Sequence, residues 1–500
     1  MEFIKSISDA IQQNQDKNAF CINKTFYTYK EFIICISKIR GHIRNNVKET
    51  EKLIGLVTHD DLETYASIIA LWLEGKAYVP VNPDVPIDRN IQILTLTEIN
   101  YVIDSLETSA FSNNYHIIKS TPANGSQVID LEPVKTSGDG IAYILFTSGS
   151  TGLPKGVPIT FDNVNALVKA VDAEPEFQLT TQDRCLQMFE LTFDFSVVTY
   201  LFPILAGACI FTIPKAAIKY FYIFKLIKEQ KLTVLTMVPS IINYLRPYFK
   251  EINEPHVRYC SFGGGALYSD IAVEWSNCLP NCKIFNYYGP TEFTVYSGFY
   301  PYNKETHTKA HNGIVAIGTP QLDTLYLVVD ENNNETKVNE IGELCLAGPQ
   351  ITKGYWKDEE RNKERFFFRN EKGTSIRYYK TGDLCFKDAV GDYLYVGRAD
   401  FQVKIRGYRV ELSEIEFHAK TISTKKVNMV AIDLENNLGN AELGLAIESE
   451  PFETDAIFDY LKTKLPSYMI PMHQLFLKEF PHSINGKIDR KELRQQFNFK

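Results

Sequence analysis

Residues Ile144 to Thr160 read ILFTSGSTGLPKGVPIT, an apolar strand-like run followed by hydroxyl residues, glycines, a lysine and a second apolar run. Glycines let backbone N–H groups approach an anion, the hydroxyls add donors, and Lys155 adds a positive charge. The loop is not a Walker loop, because Gly-Lys-Ser/Thr is missing and a strand-like run follows. Taken alone, the stretch fits a phosphate-binding loop and an ordinary Ser/Gly-rich turn equally well.

Strands and helices alternate on both sides of this stretch. LIGLV, AYVPVNP, NYVIDS and GIAYILF read as strands, and LETYASIIALWLEG and YFYIFKLIKEQK read as helices. Such alternation predicts an α/β fold with a parallel sheet covered on both faces. From about residue 313 short strands and turn clusters predict a β-rich subdomain, and the last hundred residues predict a small α+β domain.

Composition excludes several classes of function. The 500-residue chain has a net charge of −8 and no long basic run, so we expect no nucleic acid and no membrane as its main partner. Its longest apolar run, 196–213, has the length of a weak transmembrane candidate, but Pro203 and Gly207 favour a buried helix, a turn and a strand. No signal-peptide core is visible at the start, and the nine cysteines lack zinc spacing, so a reducing cytoplasm is expected.

Three further short stretches carry polar groups at turns. NYYGPTE (286–292) offers tyrosine faces, a hydroxyl and a carboxylate; YYKTGDL (378–384) places Asp383 on a predicted tight glycine turn after a strand; INGKIDRKEL (484–493) carries Lys487 on an Asn-Gly turn. Each has an ordinary alternative: a Gly-Pro turn, a capping aspartate or a solvated lysine. None of the three is decisive alone.

Taken in order, these stretches resemble the adenylate-forming superfamily, and specifically the amino-acid adenylation domains of nonribosomal peptide synthetases and the D-alanine–carrier protein ligases. The resemblance extends from Thr25 to Leu493. It implies a large core over residues 1–398, made of two helix-covered, mainly parallel sheets and a β-rich subdomain at about 313–398. It also implies a small, mobile α+β domain over 399–500, with a hinge at 398–402 that includes Asp400. The matching stretches are TFYTYKEF, LWLEGKAYVPVNP, FTSGSTGLPKGV, FDFSV, NYYGPTE, GELCLAGPQITKGYW, YYKTGDL, GRADFQVKIRGYRVELSEIE, LPSYMIP and NGKIDRKEL.

The resemblance implies that ATP and Mg²⁺ are used to make an acyl-AMP, with release of pyrophosphate, before the acyl group passes to a thiol. It assigns Thr291 to the α-phosphate, Glu292 to Mg²⁺, and Lys487 to the substrate carboxylate and α-phosphate, where a cation between approaching anions lowers the barrier. Within NYYGPTE it places Asn286 on the adenine edge and Tyr288 on its face, with Asp383 on the ribose. The implied nucleotide-binding residues are Thr147, Ser148, Gly149, Ser150, Thr151, Gly152, Lys155, Asn286, Tyr287, Tyr288, Gly289, Asp383 and Arg398.

Asp194 in FDFSV matches the aspartate that pairs with a substrate α-amino group, which favours an amino acid as substrate. The alternative is that Asp194 caps the following helix. The pocket positions contain no acid or base, so a small or medium uncharged side chain is expected. Three aromatic residues among them take up volume, and Gly263 is expected to give some of that volume back. Two residues depart from the family pattern. Gly265 stands where most amino-acid-activating relatives have glutamate, and Gly263 stands where D-alanine ligases typically have cysteine, which counts against D-alanine as the substrate. The implied pocket residues are Phe195, Val198, Thr236, Ser261, Gly263, Tyr287, Val295 and Tyr296.

Three hypotheses follow for the whole protein. The first is an amino acid–carrier protein ligase, which includes the D-alanine ligases; its acceptor would be a phosphopantetheine-bearing carrier in trans, because seven residues follow Leu493 and no Gly-Gly-x-Ser carrier motif is present. The second is an acyl- or aryl-CoA synthetase, which does not need Asp194. The third is a catalytically dead adenylate-binding regulator, which would tolerate loss of residues that are present here.

Overall fold

The computed structural model describes residues 2–120, 129–149, 153–303, 309–400, 402–422, 427–482 and 488–497. The chain forms two compact units. The first comprises Met1–Asn82, Leu94–Leu145 and Gly156–Ala399, and the second comprises Pro83–Ile93, Phe146–Lys155 and Asp400–Lys500.

The helices are α1 (Glu2–Gln13), α2 (Tyr29–Asn46), α3 (Leu62–Leu73), α4 (Ile87–Leu96), α5 (Phe161–Asp172), α6 (Phe195–Ala206), α7 (Lys219–Glu229), α8 (Ser240–Leu245), α9 (Ser269–Cys278), α10 (Glu359–Arg365), α11 (Leu412–Ile422), α12 (Asp455–Lys464) and α13 (Arg490–Gln496). The first strands are β1 (Asn18–Ile22), β2 (Thr25–Thr28), β3 (Leu53–Val57), β4 (Ala77–Val81), β5 (Tyr101–Asp104), β6 (His116–Lys119), β7 (Ile141–Thr147), β8 (Lys155–Thr160), β9 (Arg184–Gln187), β10 (Cys209–Thr212), β11 (Val234–Met237), β12 (Tyr259–Phe262), β13 (Lys283–Tyr288) and β14 (Gly298–Tyr302). The later strands are β15 (Ala310–His311), β16 (Ile314–Val315), β17 (Thr319–Pro320), β18 (Leu325–Val329), β19 (Gly342–Ala347), β20 (Phe366–Glu371), β21 (Thr374–Lys387), β22 (Tyr393–Arg398), β23 (Gln402–Ile405), β24 (Tyr408–Glu411), β25 (Met429–Glu435), β26 (Ala441–Glu448) and β27 (His473–Leu477).

Two mainly parallel sheets form the larger part of the chain, which confirms the predicted α/β class. One has nine strands in the order β17-β14-β13-β12-β11-β9-β10-β1-β2, and its central pairs are parallel. The other has six strands in the order β6-β5-β3-β4-β7-β8. Strands buried on both faces, such as the fully buried AYVPV of β4, are typical of helix-covered parallel sheets.

The β-rich part begins near the predicted position. A five-stranded antiparallel sheet contains β18, β19, β21, β20 and β22. One prediction is wrong here: Asp383 does not follow a strand on a tight turn but lies inside the 14-residue strand β21. Gly382, at φ +75°, bends this strand instead, where the pairing with β19 is irregular. An isolated sequence window shows the glycine but not the pairing strands on both sides.

In the second unit, β23 and β24 form a hairpin whose tip has Arg406 and Gly407 at positive φ. A three-stranded sheet of β25, β26 and β27 packs with α11 and α12 around the buried residues Ile415, Leu445 and Leu461.

The apolar run 196–213 is a helix and a strand, as predicted, with Gly207 ending α6 in the left-handed conformation. Among the helices described, none has both the length and the apolar character required to cross a membrane. All nine cysteines are free, and eight of them are buried, as expected for core thiols.

Candidate functional site

The carboxyl ends of neighbouring parallel strands bring several predicted site residues to one sheet edge. Thr236 on β11 is in register with Ser261 on β12, and Phe262 at the end of β12 is in register with Asn286 on β13. Ligands of open α/β sheets bind outside these strand ends. The segments 236–237, 261–263 and 286–292 therefore converge although they are distant in sequence.

Asp194 occupies the N-cap position of α6 but does not act as a cap. Its backbone is in the helical region (φ −60°, ψ −33°), and its side chain makes no capping hydrogen bond. Instead its Oδ2 accepts a hydrogen bond of 2.6 Å from Thr291 Oγ1, and Asp194 is buried. The geometry thus disfavours the capping interpretation and joins two predicted site residues that are 97 positions apart.

Tyr296 lies close to this carboxylate. Burial raises the pKa of Tyr296 well above its ordinary value, and the charges of Tyr287 and Asp194 act in the same direction. The rings of Tyr296 and Tyr287 are stacked, with centroids 4.1 Å apart. Asp194 therefore lies near buried aromatic side chains.

A small cavity coincides with most of the predicted substrate pocket. Five of the eight predicted pocket residues line it: Val198, Thr236, Ser261, Tyr287 and Tyr296. Its other lining residues are mostly apolar, and its free volume of ≈ 20 Å³ has room for about one water molecule. The Ser261 hydroxyl is buried and has no hydrogen-bond partner.

The remaining three predicted pocket residues lie beside this cavity rather than in its lining. The Phe195 ring packs edge-on against Tyr296 at 5.2 Å, and a Cβ built on Gly263 would lie 2.1 Å from Phe195 Cζ. The Phe195 ring thus fills the space that the absent side chain of residue 263 leaves. Gly263 therefore adds no room to the pocket here, contrary to expectation. Val295 is fully buried, at φ +71°.

Asp383 is held by two donors. Its Oδ1 accepts from Arg398 Nη1 at 2.8 Å, and its Oδ2 accepts from the Tyr288 hydroxyl. The strands β21 and β22 place Asp383 and Arg398 opposite each other in register. Burial, followed by the charge of Asp383, raises the pKa of Tyr288 well above its ordinary value, so the phenol stays protonated as a donor.

Asn286, Tyr287 and Glu292 of the NYYGPTE stretch are also buried, whereas Gly289, Pro290 and Thr291 are partly exposed. The Asn286 amide nitrogen donates to the Ala316 carbonyl at 3.0 Å, which anchors the side chain in the sheet edge. A Cβ on Gly289 would lie 2.1 Å from the Val295 carbonyl oxygen, so only glycine fits at this position. The chain therefore passes its own 295–296 segment closely at the turn after β13.

In the second unit, the donors of the phosphate-loop stretch have protein acceptors. Ser148 Oγ donates to the Arg409 carbonyl at 2.8 Å, Gly149 N donates to Glu414 Oε2 at 3.1 Å, and Lys155 Nζ lies 3.0 Å from Glu411 Oε1. Sequence reasoning missed both glutamates, which lie in the GRADFQVKIRGYRVELSEIE stretch. Gly149 and Lys155 thus face carboxylates, which like phosphates are anionic hydrogen-bond acceptors, and Ser148 faces a backbone carbonyl.

Several predicted residues lie outside the described part of the chain: Ser150, Thr151, Gly152 and Lys487. Asp400 is described, and its Oδ1 accepts from the Gln402 backbone at 3.2 Å. The boundary between the two units along the chain falls between Ala399 and Asp400.

The residues present fit a magnesium nucleotide. The hydroxyl of Thr147 is buried without a hydrogen-bond partner, as expected of a donor awaiting a ligand. Glu292 is fully buried and supplies a hard oxygen donor. Among the residues described, no group of three or more His, Cys, Asp or Glu side chains could hold a metal alone. Mg²⁺ is commonly bound by one or two carboxylates together with substrate phosphates, and Glu292 suits that arrangement.

Sequence reasoning also missed Tyr355, whose hydroxyl donates to Glu292 Oε1 at 2.6 Å. Tyr355 lies in the GELCLAGPQITKGYW stretch, which is one of the stretches that carry the resemblance but to which no chemical role was assigned. Because the two partners are 63 positions apart, no local pattern could link them.

Comparison with known proteins shows the family. The family model described as AMP-binding enzyme matches residues 7–356, and the chain belongs to this family, which confirms the resemblance and makes it an adenylate-forming ligase.

Individual relatives fall into two groups. The D-alanine–D-alanyl carrier protein ligase of Bacillus licheniformis is 28% identical over 99% of each chain. Tyrocidine synthase 3 of Brevibacillus parabrevis is 28% identical over 98% of this chain, which spans 8% of that protein's length. Among solved structures, the Vibrio cholerae adenylation domain AlmE, in complex with glycyl-adenosine-5'-phosphate, has a TM-score of 0.86 at 24% identity, covering 99% of this chain and 97% of that one. This last likeness shows the fold.

Proposed function

We propose that this protein activates an amino acid as aminoacyl-AMP and transfers it to the phosphopantetheine thiol of a separate carrier protein. In the first step a carboxylate oxygen attacks the α-phosphorus of ATP, the bond to the bridging oxygen breaks, and pyrophosphate leaves. In the second step the thiol attacks the acyl carbon and AMP leaves with the bonding electron pair. Both steps balance without an oxidant or reductant.

The observation that carries this proposal is the carboxylate of Asp194. It is buried beside aromatic rings, makes no capping bond, and accepts a hydrogen bond from Thr291. A buried carboxylate is stabilised by a cation, and the α-ammonium group of an amino acid supplies one. An acyl- or aryl-CoA synthetase has no use for this charge, so the amino-acid ligase is the better-supported hypothesis.

Each unit carries residues that we propose for nucleotide binding. In the first unit, Asp383 would accept hydrogen bonds from the ribose hydroxyls while Arg398 continues to donate to its Oδ1. Tyr287 and Tyr288 would lie next to the adenine ring. In the second unit, Thr147, Ser148, Gly149 and Lys155 would donate to the β- and γ-phosphates. The phosphates would have to replace Glu414 as the acceptor of Gly149, Glu411 as the acceptor of Lys155 and the Arg409 carbonyl as the acceptor of Ser148.

Thr291 and Glu292 would act at the reacting phosphate. When nucleotide binds, the Thr291 hydroxyl would turn from Asp194 and donate to an α-phosphate oxygen, and Glu292 would bind Mg²⁺. Mg²⁺, when bound, neutralises charge on the phosphates and on the leaving pyrophosphate. Lys487 would place a cation between the substrate carboxylate and the α-phosphate. Rotation about the Asp400 hinge would then remove it for the thiol step, a role that the chain position of the unit boundary supports.

The pocket supports an uncharged side chain of small or medium size. The lining residues of the cavity carry no acid or base, and the free volume is small. A charged side chain would be buried without a partner. Both enantiomers of an amino acid carry the ammonium group that Asp194 would bind, so L- and D-amino acids are both candidate substrates.

The relatives support a carrier protein as the acceptor. The Bacillus licheniformis relative, which the chain covers almost completely, is named for a D-alanyl carrier protein. The Gly263 departure speaks against D-alanine itself as the substrate. The nine free cysteines agree with a reducing compartment, and we place the protein in the cytoplasm.

The test is amino-acid-dependent ATP–pyrophosphate exchange across a panel of L- and D-amino acids, followed by loading of purified holo-carrier proteins with the radiolabelled cognate amino acid. We expect exchange with a few small or medium uncharged amino acids and transfer to a carrier. Transfer to free CoA with none to any carrier would support the CoA synthetase instead. Nucleotide binding without exchange for any acid would support the catalytically dead regulator.

A further inference from the structure

The buried carboxylate of Glu292 is held by a tyrosine from another part of the chain. Tyr355 is 4% exposed, and its hydroxyl donates to Glu292 Oε1 at 2.6 Å. The Tyr379 hydroxyl lies 3.3 Å from that of Tyr355. Because Tyr355 gives its only O–H to Glu292, Tyr379 must be the donor in this second contact. Two phenols in series therefore support one carboxylate.

The segment that carries Tyr355 also fixes the backbone of Glu292. Thr352 N donates to the Glu292 carbonyl at 2.9 Å, and Thr352 Oγ1 donates to the Pro158 carbonyl at 2.5 Å. Four residues later, Trp356 N donates to the Gly156 carbonyl at 2.8 Å. Residues 352–356 thus bind both the main chain and the side chain of Glu292 and are themselves anchored on strand β8.

A hydrogen bond to one carboxylate oxygen fixes the plane of the carboxyl group, and with it the direction in which the other oxygen presents its lone pairs. Mg²⁺ demands near-ideal octahedral geometry, so a ligand that can rotate binds it less well. Groups that orient metal ligands without touching the metal commonly change metal affinity by roughly 10–100-fold when they are removed.

We propose that Tyr355 is a positioning residue that orients Glu292 toward the magnesium ion of the bound nucleotide, with Tyr379 as its own support. The inference rests on the proposed function only in that Mg·ATP binds at Glu292; it does not depend on which acid is activated. It assigns a chemical role to the GYW part of the GELCLAGPQITKGYW stretch, which the reaction otherwise leaves without one.

The test compares Tyr355→Phe with Tyr378→Phe. The second variant is a matched control, because Tyr378 is also a buried tyrosine that donates to a glutamate, Glu371, in the β20–β21 hairpin. Electron paramagnetic resonance measures Mn²⁺ binding to each full-length protein in the presence of a non-hydrolysable ATP analogue. Binding of the same analogue without divalent metal is measured separately.

We expect Tyr355→Phe to weaken Mn²⁺ binding by roughly 10–100-fold, in the range found for such orienting groups. Analogue binding without metal should stay at the wild-type value, and Tyr378→Phe should match the wild type in both measurements. If Tyr355→Phe does not fold, Tyr379→Phe leaves the Glu292 hydrogen bond in place and should give a smaller loss of Mn²⁺ affinity.

The inference would be overturned if Tyr355→Phe bound Mn²⁺ with wild-type affinity, or if Tyr378→Phe lost as much Mn²⁺ affinity as Tyr355→Phe. If Tyr355→Phe does not fold, wild-type Mn²⁺ affinity in Tyr379→Phe would overturn it. The outcome is separable from the proposed function. A protein that shows no exchange with any amino acid but loses Mn²⁺ affinity on Tyr355→Phe refutes the amino-acid ligase and keeps the positioning role.

Discussion

Thr291 Oγ1 donates a 2.6 Å hydrogen bond to Asp194 Oδ2. The residue proposed for the α-phosphate therefore contacts the residue proposed for the substrate amine. If the ammonium group of a substrate binds Asp194, its carboxylate lies close to the α-phosphate proposed at Thr291, because the amine and the carboxylate of an α-amino acid are attached to the same carbon atom. This contact is the structural basis for regarding the site as one for α-amino acids.

Asp194→Ala should abolish most amino-acid-dependent exchange while leaving ATP binding intact. Removing one partner of a buried charge pair commonly costs about 2–5 kcal/mol. The free energy of unfolding should change little, because Asp194 makes no capping bond and the loss of its hydrogen bond from Thr291 is offset by the removal of a buried carboxylate. Exchange kinetics, ATP binding by calorimetry and denaturant unfolding measure the three quantities.

The matched control is Asp61→Ala. Asp61 does cap its helix, since its Oδ1 accepts from Thr64 N at 2.8 Å. Asp61→Ala should lower the free energy of unfolding by about 0.5–2 kcal/mol without selectively lowering amino-acid-dependent exchange. If Asp194→Ala instead destabilises the fold like Asp61→Ala and leaves exchange unchanged, Asp194 is structural.

Lys487→Ala should remove most adenylation but spare thiol transfer from preformed aminoacyl-AMP. The expected loss in the first step is roughly 10²–10³-fold, as for one transition-state donor. Single-turnover assays of each half-reaction measure the division. Lys491→Ala, a change of an exposed lysine in α13, is the control and should affect neither step. Equal damage to both half-reactions by Lys487→Ala would refute the division of roles.

Ser261→Val should lower kcat/KM for the cognate amino acid without changing the KM for ATP. The cavity beside Ser261 has a free volume of ≈ 20 Å³, so the two added methyl groups would fill it. A change of this size in a substrate pocket is worth about 1–3 kcal/mol, or roughly 10–200-fold. Steady-state exchange with each substrate varied in turn separates the two parameters, and a parallel rise in the KM for ATP would place Ser261 outside the amino-acid pocket.

Asp383→Ala should raise the KM for ATP and leave the amino-acid KM unchanged. It removes the acceptor that Arg398 and Tyr288 hold in place. Asp388→Ala is the comparison: Asp388 is also a hydrogen-bonded aspartate of the β-rich sheet region, paired with Lys309. Calorimetric titration of each variant with ATP measures the affinity for ATP directly. An unchanged ATP affinity in Asp383→Ala would contradict the assigned ribose contact.

The sequence predicts most of the fold because its signals are local. Alternating apolar runs predict the strands of both parallel sheets. Pro203 and Gly207 predict that a helix ends and a strand begins within the apolar run 196–213. The position of Asp383 could not be predicted in the same way. Gly382 and the residues after it read as a turn, and only pairing with β19 and β22 makes the segment part of one long strand.

The candidate site is predictable where residues share a motif and hidden where they do not. Asp194, Glu292 and Asp383 are each visible in short stretches. The contact of Asp194 with Thr291 and that of Tyr355 with Glu292 join residues 97 and 63 positions apart. Such pairs depend on how strands and loops assemble, which no single stretch encodes. The Phe195 ring over Gly263 is a third example, because the glycine suggested space that the fold fills.

One measurement tests the central claim most directly: ATP–pyrophosphate exchange by the wild-type protein and Asp194→Ala, with the cognate amino acid and with the same acid lacking its α-amino group. The account predicts strong exchange only for the wild-type protein with the amino acid, and weak exchange in the other three combinations. Equal wild-type exchange with the deaminated acid, unaffected by Asp194→Ala, would contradict amino-acid activation and indicate an acyl-CoA synthetase instead.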